Sequence, residues 1–183
     1  MCKLVLFLLM AWGSLTLIMA AKRSFNLVIY NVTCNKYAKR ITRFDCTHRK
    51  VSTGCYSSDY SIMLDQTLDK DADLQFLVTF IPMKGAKLVK FLDVKINICD
   101  ALSQSNSSPL LKSLLEEFKK KSDLPNGCPV KGGYLYSVAN YSVDSTTLPP
   151  YAPILTFNCT VTIFEHNKRI ASIRTMGATV PRL

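Results

Sequence analysis

Few residues in this sequence could do chemistry. His48 and His166 are its two histidines. Nucleophilic catalysis needs a base, usually a histidine, within hydrogen-bond reach of a serine, cysteine or threonine. His48 lies in a basic stretch and His166 in a polar turn, so both read as solvated surface residues. No G-x-S-x-G elbow, Walker loop, H-E-x-x-H or C-x-x-C pair occurs. Asp69, Asp71 and Asp73 begin like a calcium loop. That loop needs glycine at its sixth position and glutamate at its twelfth, where this chain has Leu74 and Phe80. The residues therefore predict no enzyme, no metal site and no cofactor.

The cysteines carry the remaining chemistry. There are seven, an odd number, and the N-terminus accounts for the odd one. Met1-Cys2-Lys3 precedes an uncharged run from Leu4 to Ala21, broken at Gly13-Ser14 and closed by Ala20-Ala21. A short basic start, an apolar stretch and small residues mark a secretory signal peptide. Residues 1–21 are assigned to it, with cleavage after Ala20 or Ala21. As a membrane anchor the same run would nearly span a bilayer, but the Gly-Ser break and the Ala-Ala end favour removal. No other stretch is apolar enough, so no stable membrane insertion is expected.

Cleavage removes Cys2 and leaves Cys34, Cys46, Cys55, Cys99, Cys128 and Cys159. An even set in a secreted chain predicts three disulfides. Four glycan acceptor patterns agree with an extracellular location, at Asn31, Asn106, Asn140 and Asn158.

Composition bounds the rest. The chain has 183 residues, 48% hydrophobic and 20% charged, which fits one folded domain over residues 22–183. It has 23 Lys and Arg against 13 Asp and Glu, a net charge of +10. Lys36, Lys39, Arg40, Arg43, Arg49 and Lys50 crowd one stretch. Such a stretch is a solvated face or a contact for anionic headgroups or an acidic partner. Nucleic acid is not expected, because no recognition motif accompanies the charge.

The elements that must position these residues are mostly strands. Phe25–Val32 is rich in β-branched and aromatic residues, and Tyr134–Val143 is a further candidate. Asp73–Ile81 and Leu88–Cys99 alternate, with Leu74, Phe76, Val78 and Phe80, and Leu92, Val94, Ile96 and Ile98, on their inward faces. Ile154–Phe164 turns inward Leu155, Phe157, Cys159, Val161 and Ile163, and points Asn158 outward. A polar turn at Glu165–Lys168 and a returning strand, Arg169–Thr179, complete a hairpin. One helix is expected from Pro109, with Ser108 as cap, a stripe of Leu110, Leu111, Leu114, Leu115 and Phe118, and Lys119–Lys121 at its end. Strands at this spacing with one inserted helix predict an all-β, antiparallel β-sandwich.

Three stretches resemble a known group. They are Asn31-Val-Thr-Cys34 with Cys46; Leu92-Asp-Val-Lys-Ile-Asn-Ile-Cys99 with Ser108-Pro-Leu-Leu-Lys112 and Cys128-Pro129; and Leu148-Pro149 with the closing hairpin. From about Phe25 to Val180 the chain resembles the ML lipid-recognition superfamily, which includes the ganglioside activator. Its nearest likeness there is to an insect secreted family of unassigned function that includes the CheB chemosensory proteins. The chain departs from the pattern in having no cysteine in Arg169–Val180.

The resemblance implies an immunoglobulin-like sandwich of ML type with one short helix between Cys99 and Cys128. It implies a Cys99–Cys128 disulfide. The other four cysteines allow three pairings, of which Cys34–Cys46 with Cys55–Cys159, and Cys34–Cys55 with Cys46–Cys159, are favoured. It also implies a lipid or other hydrophobic ligand held between the sheets, with a chemosensory role such as pheromone carriage. Candidate lining residues are Phe76, Phe80, Leu92, Ile96, Leu114, Phe118, Phe157 and Ile163. The alternative is an extracellular protein with a filled core that modulates a receptor or channel through its surface.

Overall fold

The computed structural model describes residues 23–82, 87–103 and 109–182. The expected signal peptide and Asn106 lie outside them. Among the described residues, eight strands build two antiparallel sheets. In the larger, β1 (Phe25–Lys36), β8 (Lys168–Pro181), β7 (Leu155–Glu165), β4 (Asp73–Pro82) and β5 (Val89–Asn97) lie side by side in that order. In the smaller, β2 (Ile41–Ser52), β3 (Cys55–Leu64) and β6 (Leu135–Asp144) do so. The fold is the all-β sandwich that the alternation predicts.

Register explains why the alternating faces agree. Leu74, Phe76, Val78 and Phe80 of β4 stand opposite Ile163, Val161, Cys159 and Phe157 of β7. On the other side Leu74, Phe76 and Val78 oppose Ile96, Val94 and Leu92 of β5. One apolar face therefore runs across three strands. The β7–β8 hairpin turns on His166 and Asn167, whose φ values are 48° and 60°. Two successive positive φ angles make the tight turn whose twist suits paired strands.

The sequence does not mark β2 and β3 as strands. β2 is the edge of the smaller sheet and alternates charged residues outward, a pattern that protects an edge from further pairing. β3 is rich in serine, which weakens its strand signal.

Among the described residues two helices, rather than one, lie between β5 and β6. The strand expected to reach Cys99 stops at Asn97, and α1 (Ile98–Ser103) follows. The Asn97 side-chain oxygen accepts the Cys99 N–H at 2.8 Å, while Ile98 N–H donates to Ala72 O at 2.9 Å. A capping asparagine thus overrides the apolar alternation. α2 (Pro109–Lys120) is the predicted helix.

The core divides into two buried clusters. One joins Leu27, Ile29 and Val32 of β1 to Tyr56 of β3. The other gathers Ile41, Phe44, Leu64, Tyr136, Ile170 and Ala171 with Ile98 and Leu102 of α1. Gly177 in β8 lies beneath the Phe157 ring, and a Cβ there would stand 2.6 Å from Phe157 Cζ and 2.4 Å from Val28 O. Gly177→Ala should therefore cost about 1–3 kcal/mol. A lowered denaturation midpoint checks this; an unchanged one would contradict the packing described.

Candidate functional site

The two sheets differ in width, and this creates the site. The Cys34–Cys46 disulfide ties β1 to β2, so the sheets are aligned along that edge. Strands lie about 4.8 Å apart, so five strands over three leave about 10 Å of the larger sheet without a facing strand. By this count the part without a facing strand is the β4–β5 side, where α1 touches the end near Leu74.

The burial pattern agrees. Phe76, Val78, Phe80, Leu92, Val94 and Ile96 point inward by register, yet each is half-buried. Neither buried cluster takes them in. Phe157 and Ile163 are half-buried at the margins of the two clusters. Of the sequence-predicted lining residues, then, Phe76, Phe80, Leu92, Ile96, Phe157 and Ile163 share one face of the larger sheet. The Leu114 side chain lies outside the described ones.

Phe118, the remaining candidate, approaches from the opposite side. Its ring lies 6.1 Å from Tyr60 of β3 and 5.5 Å from Tyr141 of β6. α2 is held at this margin at its C-terminal end. Lys121 O accepts the Ala139 N–H of β6 at 2.9 Å, Asp123 N–H donates to Ser137 O at 3.1 Å, and Ser122 bridges Val138. The Cys99–Cys128 disulfide joins α1 to the segment after α2. The C-terminal end of the helix is thus strapped to the β6 edge of the smaller sheet.

Tyr60 and Tyr141 were not among the sequence candidates. The period-2 run Tyr56, Ser58, Tyr60, Ile62 could have placed Tyr60 inward, but its serines obscured it. Burial raises both phenols above their usual range, with the nearby Cys159 sulfur contributing. Cys159 is half-buried as a residue, but its thiol is crowded enough that burial pushes it up to about 11.

These shifts set a pH dependence. A group whose folded pKa lies above its unfolded one stabilises the fold fully below the unfolded value and loses that contribution as pH rises. Stability should therefore fall as pH climbs from about 9 towards 11. Denaturant midpoints across that window check it. Cys159→Ala should flatten the decline, and an unchanged slope would contradict the burial of the thiol.

The third disulfide expected from the even count is not formed. Among the described residues the disulfides are Cys34–Cys46 and Cys99–Cys128, and Cys55 and Cys159 are thiols. Cys159 neighbours Tyr60, and Cys55 lies five residues along β3 from it, roughly 16 Å at strand rise. A disulfide needs Cα atoms within about 7 Å. The expected Cys99–Cys128 bond and the Cys34–Cys46 half of the first favoured set are formed, whereas its Cys55–Cys159 half and the alternative of Cys34–Cys55 with Cys46–Cys159 are corrected.

The three arginines of the basic stretch are engaged away from β4 and β5. Arg43 pairs with Asp45 at 2.7 Å, and Arg49 with Asp59 at 3.1 Å and Asn140 at 2.6 Å. These groups are on the outer face of the smaller sheet. The Asn140 N–H, at 2.7 Å, and the Arg49 guanidinium hold the Asp59 carboxyl below its usual range. Arg40 turns instead to the nearly buried Glu165.

His166 is exposed, as expected, but not alone. Its Nε2 lies 3.3 Å from Asp69 Oδ2 and 3.8 Å from Asp71 Oδ2. These three are the one group among the described residues with ligand atoms close enough to hold a metal ion. Asp73, the third acid of that run, pairs with Lys95 at 2.7 Å. Of the glycan acceptors, Asn31 and Asn158 both flank Met176 by register, and Asn140 is exposed.

Residues 74–159 match the model of a family described as a protein of unknown function, DUF1091. The match runs from β4 into β7. It therefore contains the uncovered strands, both helices and β6. No curated protein matches the chain. Among the described residues no helix is long and apolar enough to cross a membrane. Two disulfides fit an extracellular protein.

Proposed function

We propose that this chain is a secreted glycoprotein that binds a lipid or another hydrophobic small molecule between its sheets, without catalysing a reaction. The observation that carries this reading is the apolar face formed by Phe76, Val78 and Phe80 of β4 with Leu92, Val94 and Ile96 of β5, inward by register yet absorbed by neither buried cluster. Each methylene buried there contributes about 0.8 kcal/mol, so a chain of roughly ten would gain about 8 kcal/mol before ordering costs are subtracted. The strand and helix order is in keeping with the ML lipid-recognition superfamily. Carriage of a hydrophobic pheromone in chemosensory detection is the finer form of the reading.

A second reading has its own observation. At the tip of the β4–β5 hairpin, Leu88 and Phe91 are 64% and 65% exposed, beside exposed Ile81 and Val89. Apolar side chains gathered in this way suit a protein partner, such as a receptor or channel touched through the surface.

Titration of delipidated protein with the uncharged dye N-phenyl-1-naphthylamine tests the first reading. Saturable binding of one dye per chain, with a blue-shifted emission, is expected. Absence of saturable binding would overturn it and leave the surface reading.

A further inference from the structure

The inward faces of the two sheets share a chemical character. On β4, β5 and β7 the inward register positions hold Leu74, Phe76, Val78, Phe80, Leu92, Val94, Ile96, Leu155, Phe157, Cys159, Val161 and Ile163. None is charged. On the smaller sheet the inward positions of β3 and β6 hold Tyr56, Ser58, Tyr60, Ile62, Tyr136, Val138, Tyr141 and Val143. None of these is charged either. The polar atoms near the opening are thus phenols, a serine hydroxyl and a thiol that stays protonated at neutral pH.

Four cations on α2 and β5 are engaged elsewhere. Lys119 Nζ donates to Leu102 O at 2.7 Å, and Lys120 pairs with Glu117 at 2.6 Å. Lys90 pairs with Asp93 at 2.8 Å, and Lys95 with Asp73 at 2.7 Å. An anionic group carried between these faces would lose its water and meet no charged side chain at an inward register position, which is costly. A neutral oxygen needs one hydrogen-bond donor, and a phenol supplies it. Tyr60 and Tyr141 flank Phe118 where α2 meets the smaller sheet.

Resting on the carrier reading above, we infer that the ligand is electrically neutral. It is a long-chain ester, ketone or alcohol whose oxygen is met by the Tyr60 and Tyr141 hydroxyls while its chain lies on β4 and β5. Fatty-acid anions and phospholipid headgroups are disfavoured, although the chain as a whole is basic. Net charge acts on encounter at long range, whereas selection is made by the groups at contact.

The test is displacement of N-phenyl-1-naphthylamine from the delipidated protein by dodecane, dodecanol, methyl dodecanoate and dodecanoic acid. At about pH 7.5 the ester and alcohol should displace the dye at concentrations at least about tenfold below the acid, whose carboxyl is ionised there. The acid should gain as pH falls towards about 5, as it becomes neutral. The double variant Tyr60→Phe/Tyr141→Phe should bring the ester and alcohol down to the level of dodecane and leave dodecane unchanged. A thermal melt confirms that this variant is folded. An acid that binds as tightly as the ester at about pH 7.5, or a double variant with unaltered preference, overturns the inference while the carrier reading stands. If neither the dye nor any of the four compounds binds, the carrier reading falls and takes the inference with it.

Discussion

Phe76→Asp should weaken binding of an uncharged hydrophobic ligand about a hundredfold or more, a loss of about 3 kcal/mol. Two effects add. The phenyl ring stops contributing apolar contact, and a carboxylate must share the space with the ligand chain. Phe76 is central to the uncovered face, between Val94 of β5 and Val161 of β7. It is half-buried and outside both core clusters, so folding should lose less, on the order of 1–2 kcal/mol. Tyr30→Asp is the control. Tyr30 is 57% exposed on β1, at the opposite edge of the same sheet, and binding should be unchanged. Dye titration of the three proteins reads the result. Equal affinities for wild type and Phe76→Asp would place the ligand elsewhere.

Arg40→Met should destabilise the fold by about 3–5 kcal/mol without directly touching the ligand. Glu165 is 6% exposed and takes its ion pair from Arg40. It also accepts the Asp69 N–H at 3.2 Å. The same guanidinium donates to Gln66 O at 3.2 Å and Thr67 O at 3.1 Å. One arginine therefore fastens the β3–β4 connection to the end of β7. Removing it leaves a nearly buried carboxylate without its countercharge, which costs more than the pair itself contributes. For a domain of this size the melting temperature should drop by about 10 °C or more. Adding Glu165→Leu should recover much of the loss, because no charge is then stranded. A single variant as stable as wild type, or a double variant worse than the single, would contradict this.

These two sites differ in how far they could be read from the chain. Phe76 was legible because period-2 alternation on three strands forced the same residues inward, and register then joined them. What alternation does not reveal is whether an inward face is covered. That depends on the number of strands in the facing sheet, and β2 and β3 carry charge and serine in place of a strand signal. The Arg40–Glu165 pair was hidden for a different reason. Glu165 opens a polar turn and Arg40 sits in a run of cations, so each reads as solvated until the fold brings them together over 125 positions. The even cysteine count misled in the opposite sense. Counting supplies a number of pairs, but Cys55 and Cys159 are separated by half the length of a strand.

Nuclear Overhauser contacts between a bound ligand and the methyl groups of the protein give the most direct test of a site between the sheets. With methyl-labelled protein and N-phenyl-1-naphthylamine, the account expects contacts from the dye to Val78, Leu92 and Val94. Contacts confined to Ile81, Leu88 and Val89, at the exposed hairpin tip, would contradict it and move the function to the surface.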